Sequence, residues 1–268
     1  MKNKIIIPTD LTEVSNQAIR QGIAIAKKAG MDILLLYILE DNTISVEESG
    51  KILKSDAANI MKESGINCEA VVKKGSFFDV VTNESCEGSY DLMVIGTHRI
   101  KGIRQILFGA DILKLAMKIP MPVLVVQKDS LVIGEFHKLV LPVSSHELFQ
   151  PILDAVIFFA SIFGSEVHFY SIHKAGFTWP DQLLKNIEEA TRQFEAKKIK
   201  VLRIKEDANL YEFGYARQTL KYAKSAATDL LCVMSVPSRD YYYFAQSDKE
   251  TLLTNEYKIP VLFAGGNC

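Results

Sequence analysis

The sequence is poor in cysteine and carries no surplus of either charge. Its four cysteines, Cys68, Cys86, Cys232 and Cys268, are scattered and never at C-x-x-C spacing. Neither a metal site nor a disulfide is expected of them, and reduced thiols in a cytoplasmic protein are the reading. With 31 basic against 32 acidic residues the net charge is −1, which argues against a generally basic surface and hence against nucleic acid as a partner. No apolar run approaches the roughly 20 residues of a membrane helix. The opening Met1-Lys2-Asn3-Lys4 and the isoleucines after it are too short for a signal h-region. No membrane association is expected.

What is present is core-forming. Hydrophobic residues make up 48% and charged ones 24%, a globular balance, and 268 residues fit two domains better than one. Ile5-Ile6-Ile7 reads as a strand covered on both faces. Thr12 is a plausible cap before a helix from Val14 to Ala29, which Gly30 stops. A second buried strand runs from Ile33 to Ile38, and a helix from about Val46 to Ser64 ends at Gly65. A third strand is expected over Asn67–Val72, a shorter helix over Phe77–Glu87, and strands over Asp91–Ile95 and Val123–Val126. Alternating strands and helices imply right-handed crossovers and a parallel sheet.

The pattern then starts again. Lys4-Ile5-Ile6-Ile7-Pro8 matches Lys138-Leu139-Val140-Leu141-Pro142, and the same register pairs Glu13 with Glu147 and Gly30 with Gly164. After a small insertion Asp91-Leu92 pairs with Asp229-Leu230, and Pro122-Val123-Leu124 with Pro260-Val261-Leu262. The chain is therefore read as a duplicated domain, residues 1–128 and 137–268, with Gln127 to Phe136 as the linker. Trp179-Pro180 reads as a hydrophobic staple and a first-turn proline.

One stretch carries the chemistry. Asp91 to Ile95 leads into Gly96-Thr97-His98-Arg99-Ile100-Lys101-Gly102, and Gly109 opens a helix. A strand ending at glycine, a basic loop and a glycine at a helix start is a layout for cradling phosphate. It is neither a Walker loop nor Gly-x-Gly-x-x-Gly. In the second half Met234, Asp240 and Ser247 replace Gly96, Gly102 and Gly109, and Ser144 replaces Asp10, so that half cannot form the same amide cradle.

These residues resemble the universal stress protein family in its tandem form. The resemblance rests on Pro8-x-Asp10, Tyr37-Ile38, Gly96-Thr97-His98, Gly109 and Pro122-Val123-Leu124-Val125-Val126. It implies an α/β fold of two tandem Rossmann-like (adenine nucleotide alpha hydrolase-like) domains. Each would be an open five-stranded parallel sheet with helices on both faces, the two paired as an internal pseudo-dimer, with a homodimer as the further step. It also implies a site for ATP or AMP with magnesium, through a pattern Gly-x2-Gly-x9-Gly-Ser/Thr. That spacing falls here on Gly96, Arg99, Gly109 and Ala110. Arg99 puts a side chain where backbone should approach phosphate, Ala110 removes a hydroxyl donor, and Asp111 adds a negative charge at the helix start.

The candidate nucleotide-binding set is Pro8, Thr9, Asp10, Ile38, Ile95, Gly96, His98, Arg99, Gly102, Gly109 and Ala110, with no catalytic or metal-binding residue assigned. The function implied is a non-enzymatic stress-response protein whose first domain binds ATP weakly or not at all. The alternative is a functional ATP or AMP binder that holds the phosphates by Arg99, Lys101 and Arg104. Ser-Gly-Gly-x-Asp and His-x-Gly-His, which the ATP-cleaving enzymes of this fold class carry, are both missing. Tyr241, Tyr242 and Tyr243 are the candidate protein-docking residues, with filler over the vacated second site as the plainer reading of them.

Overall fold

Ile5, Ile6 and Ile7 have no exposed surface, and their strand, β1 (Lys4–Thr9), runs between two others. Burying each such side chain contributes about 2–3 kcal/mol, so β1 is the axis of the first core. The structure is a computed structural model that describes residues 3–40, 46–97, 109–130, 134–173, 176, 178–208, 214–236 and 246–268. It divides into two units, residues 1–134 with 266–268, and residues 135–265.

In the first unit, α1 (Glu13–Ala29), β2 (Asp32–Leu39), α2 (Val46–Ser64), β3 (Cys68–Lys74), α3 (Phe77–Glu87), β4 (Leu92–Gly96), α4 (Gly109–Met117) and β5 (Val123–Val126) follow β1. The order across its parallel sheet is β3-β2-β1-β4-β5. Right-handed crossovers put α1 and α2 on one face and α3 and α4 on the other, because the chain reverses its direction of travel after β3. The Thr12 side chain caps α1 by accepting from Ser15 N, and Gly30 ends it in the left-handed region.

The second unit repeats this with β6 (Lys138–Pro142), α5 (Gln150–Phe163), β7 (Glu166–His173), α6 (Asp181–Ala196), β8 (Lys200–Asp207), α7 (Tyr215–Ser225), β9 (Leu230–Met234), α8 (Gln246–Leu253) and β10 (Val261–Ala264). Its order is β8-β7-β6-β9-β10, again parallel. The edge strand β8 exposes Lys200, Arg203, Lys205 and Asp207 along its length, charges that guard an open edge against pairing.

Three expectations need correction. Cys86 and Cys268 form a disulfide, while Cys68 and Cys232 stay free and buried. The pairing depends on where residues 266–268 settle against the first unit, which no cysteine spacing encodes. The stretch 127–136, read as the linker, is held at both ends. Ser130 Oγ accepts from Gln127 N at 2.9 Å and Gln17 donates to Ser130 O, while Phe136 is fully buried against Phe159 and Phe163. Pro180 stands at the cap of α6, one residue before its first turn. Trp179 sits under the Lys205 ammonium and edge-on to His173 rather than serving as a simple staple. Finally, β3 runs to Lys74, two residues past the expected end, because its length is set by pairing along the whole of β2.

Candidate functional site

The strand order places β1 between β2 and β4, and the chain's path reverses there. In an open parallel sheet, the carboxyl ends of the strands flanking such a reversal form the crevice where ligands sit. Pro8 and Thr9 close β1, Ile38 lies near the end of β2, Ile95 and Gly96 close β4, and Gly109 and Ala110 open α4. Seven of the candidate residues thus share one edge of the first sheet, with Asp10 following directly on β1. His98, Arg99 and Gly102, together with Lys101 and Arg104, lie outside the described residues, as do Tyr241, Tyr242 and Tyr243.

The turn after β1 satisfies itself. Asp10 Oδ1 accepts from Thr12 N at 3.0 Å and from Thr12 Oγ1 at 2.6 Å, an Asx-turn that lets Leu11 adopt a left-handed φ of 62°. Thr9 Oγ1 accepts from Leu11 N and donates to Ser15 Oγ, and Ser15 Oγ donates to Thr12 O. Asp10 is partly exposed, and its Oδ2 has no partner among the described residues. One carboxylate oxygen therefore holds the loop.

Gly96 has a structural reason to be glycine. A Cβ built there would lie 2.6 Å from Val14 Cγ1, 2.9 Å from Val14 O and 3.2 Å from Val14 C. The first turn of α1 rests on the backbone of β4, with Val14 buried to 2% exposure. At the start of α4, Asp111 sits in the first turn and pairs with Lys114 at 3.7 Å. A carboxylate at this position takes up the positive helix end that an anion would use.

The second unit is built differently at the equivalent edge. Lys249 in α8 is buried to 5% exposure and its Nζ donates to Ser235 O at 3.1 Å and to Val236 O at 2.6 Å. Burial pulls its ammonium down from the usual 10.5 to about 8, since the charged form loses hydration there. The amine ties the carbonyls just beyond β9 to α8. Sequence reasoning missed it, although the exchange of Asp111 for Lys249 at the offset pairing Gly109 with Ser247 was a visible signal. Among the described residues no group of three or more His, Cys, Asp or Glu is gathered to hold a metal, and no helix is long and apolar enough to cross a membrane.

The model of the universal stress protein family matches residues 1–127. A universal stress protein of Methanocaldococcus jannaschii is 27% identical over 139 residues, 47% of this chain and 82% of that protein. One of Bacillus subtilis is 20% identical over 148 residues, 47% of this chain and all of that protein. Among solved structures, a universal stress protein of Archaeoglobus fulgidus superposes with a TM-score of 0.76 at 17% identity over 98% of both chains, a likeness of fold. Residues 1–127 therefore match the universal stress protein family, and the second unit repeats the strand order of the first.

Proposed function

We propose that this chain is a non-enzymatic stress-response protein whose first unit keeps the position of an adenine-nucleotide site but binds ATP weakly or not at all. The observation that carries this reading is what occupies the cradle. Gly96 is spent on the approach of Val14, Asp10 Oδ1 is held by Thr12, and Asp111 takes the helix start where a phosphate would be stabilised. The residues present fit a triphosphate poorly: a missing hydroxyl at Ala110 forgoes a bond worth about 1 kcal/mol, more to a charged acceptor. The second unit is read as a degenerate copy, its edge closed by Lys249.

Isothermal titration of the full chain with ATP and magnesium, and separately with AMP, tests this. Dissociation constants weaker than about 100 μM, or no heat at all, are expected; a figure below about 1 μM, some 8 kcal/mol of binding, overturns the reading. The Oδ2 of Asp10, without a partner among the described residues, favours the alternative, a working ATP or AMP site in which Arg99, Lys101 and Arg104 hold the phosphates. In that case the triple alanine variant of those residues loses a tight affinity that the wild type shows.

A further inference from the structure

The disulfide between Cys86 and Cys268 spans 182 residues of sequence, with the two Cα atoms 5.9 Å apart. Both cysteines are exposed. Cys86 lies in the last turn of α3, and its Sγ is 3.7 Å from the carbonyl oxygen of Lys118, just past α4. Residues 266–268 belong with the first unit and are laid on the C-terminal turn of α4. Asn267 N donates to Met117 O at 3.2 Å. Gly266 lies so close that a Cβ on it would be 2.2 Å from Ala116 O and 2.4 Å from Ile119 O. Among the described residues this segment is held to the first unit by that hydrogen bond, the close approach of Gly266 and the disulfide. The opposite end of α4 is Gly109, the described residue at which the candidate phosphate loop ends.

We propose that Cys86 and Cys268 are a redox modification site, a solvent-reachable pair that pins residues 266–268 onto the end of α4 when oxidised and frees them when reduced by a dithiol. A thiolate of the dithiol attacks one of the two sulfurs, the S–S bond breaks, and the departing sulfur leaves as a thiolate that takes a proton from water. The second thiol of the reductant then displaces the other cysteine from the mixed disulfide. The protein gains two electrons and two protons, and the reductant is oxidised to its own disulfide. The exposure of both cysteines gives the attacking thiolate its access. The free cysteines stay out of the exchange: Cys68 and Cys232 are 5% and 0% exposed. Burial, with the Glu69 charge beside it, pushes the Cys68 thiol up to about 11, and burial alone pushes the Cys232 thiol up.

The test needs no nucleotide, so it stands or falls apart from the binding reading. The full chain is oxidised with oxidised glutathione, then treated or not with dithiothreitol, and labelled under native conditions with a polyethylene-glycol maleimide. Oxidised protein is expected to take no label, and reduced protein two, on the pair. Hydrogen exchange is followed alongside. The Asn267 amide and residues 117–121 should exchange at least about tenfold faster after reduction. The double variant Cys86→Ser/Cys268→Ser should show the fast rate with or without reductant. Two results each overturn the proposal: labelling of both cysteines after oxidation, which means the pair does not close, and equal exchange of the Asn267 amide in all three samples, which means nothing is released.

Discussion

Replacing Gly96 by alanine adds one methyl group at a place where the structure leaves no room for it. The new Cβ would meet Val14 Cγ1 at 2.6 Å, which a rotamer change relieves, but also Val14 O at 2.9 Å and Val14 C at 3.2 Å, which it does not. Relief requires α1 to move off β4, and overpacking of this kind costs about 1–3 kcal/mol. Against it stands the entropy that alanine removes from the unfolded chain, about 0.4–1 kcal/mol of stabilisation where the backbone is not strained. Gly96 is not among the positive-φ glycines, so the gain applies in full. The net is a loss of about 1–2 kcal/mol in the first unit. Urea unfolding followed by far-UV circular dichroism measures it. Trp179, the sole tryptophan, lies in the second unit, and its fluorescence reports that unit separately. Adding Val14→Ala removes the Cγ1 contact but leaves the backbone oxygen, so the double variant should recover only part of the loss. A midpoint for Gly96→Ala that is unchanged or raised refutes the packing argument, because with room available the entropy gain alone would set the sign.

Two further outcomes follow from the same geometry. Asp10→Ala removes the acceptor of both Thr12 bonds and should cost the first unit about 1–2 kcal/mol, whereas Asp10→Asn keeps an oxygen there and should stay within about 0.5 kcal/mol; equal stability of the two variants in chemical denaturation would mean the carboxylate does not hold the loop. For Lys249 the folded-state value is lowered to about 8, so between that pH and 10.5 the unfolded chain binds the extra proton and stability rises with pH. Compared with Lys249→Met, which cancels the other titrations, the wild type should gain up to about 3 kcal/mol across that window, and parallel pH profiles for the two proteins would rule this out.

The parts of the fold that were legible in the sequence are those fixed by local chemistry. Ile5–Ile7 announce a strand covered on both faces because every side chain is apolar, and they are fully buried. Thr12 and Gly30 mark the ends of α1 because a hydroxyl acceptor and a left-handed residue are what those ends need. The repeat carried the strand order of the second unit, since equal spacing of strands and helices leaves few topologies. The end of β3 was missed because an edge strand runs as far as its partner does. The disulfide was missed because it depends on a contact made across 182 residues. In the candidate site, positions 8–10, 38, 95–96 and 109–110 lie at one end of the first sheet, as their places after strands and at a helix start imply, whereas the sequence did not disclose the packing around Gly96. That packing comes from Val14, fully 82 positions earlier in the sequence.

The two copies show what that one glycine controls. The register that pairs Lys4 with Lys138 sets Glu13, the first residue of α1, opposite Glu147, yet α5 begins three residues later at Gln150. It does so without a side-chain cap, whereas Thr12 caps α1. The same register sets Val14, 2% exposed, opposite Leu148, which is 62% exposed. At the end of the neighbouring strand Gly96 is matched by Met234, whose side chain turns toward Gly265, its Cε 2.7 Å from where a Cβ would stand. A Cβ at the end of β4 is what α1 cannot tolerate; with a Cβ present at the end of β9, α5 starts nearly one turn later and the residue in the place of Val14 stays in solvent. Both helices end on a left-handed glycine, Gly30 and Gly164, so the change is confined to the end that faces the strand. Loss of the glycine and retreat of the helix are thus one structural event, and it removes the helix start from the edge where a nucleotide site would be built. The first unit, with Gly96 and the early start of α1, keeps that helix start at the carboxyl end of its sheet, where Asp10 is bonded to Thr12 and Asp111 is paired with Lys114.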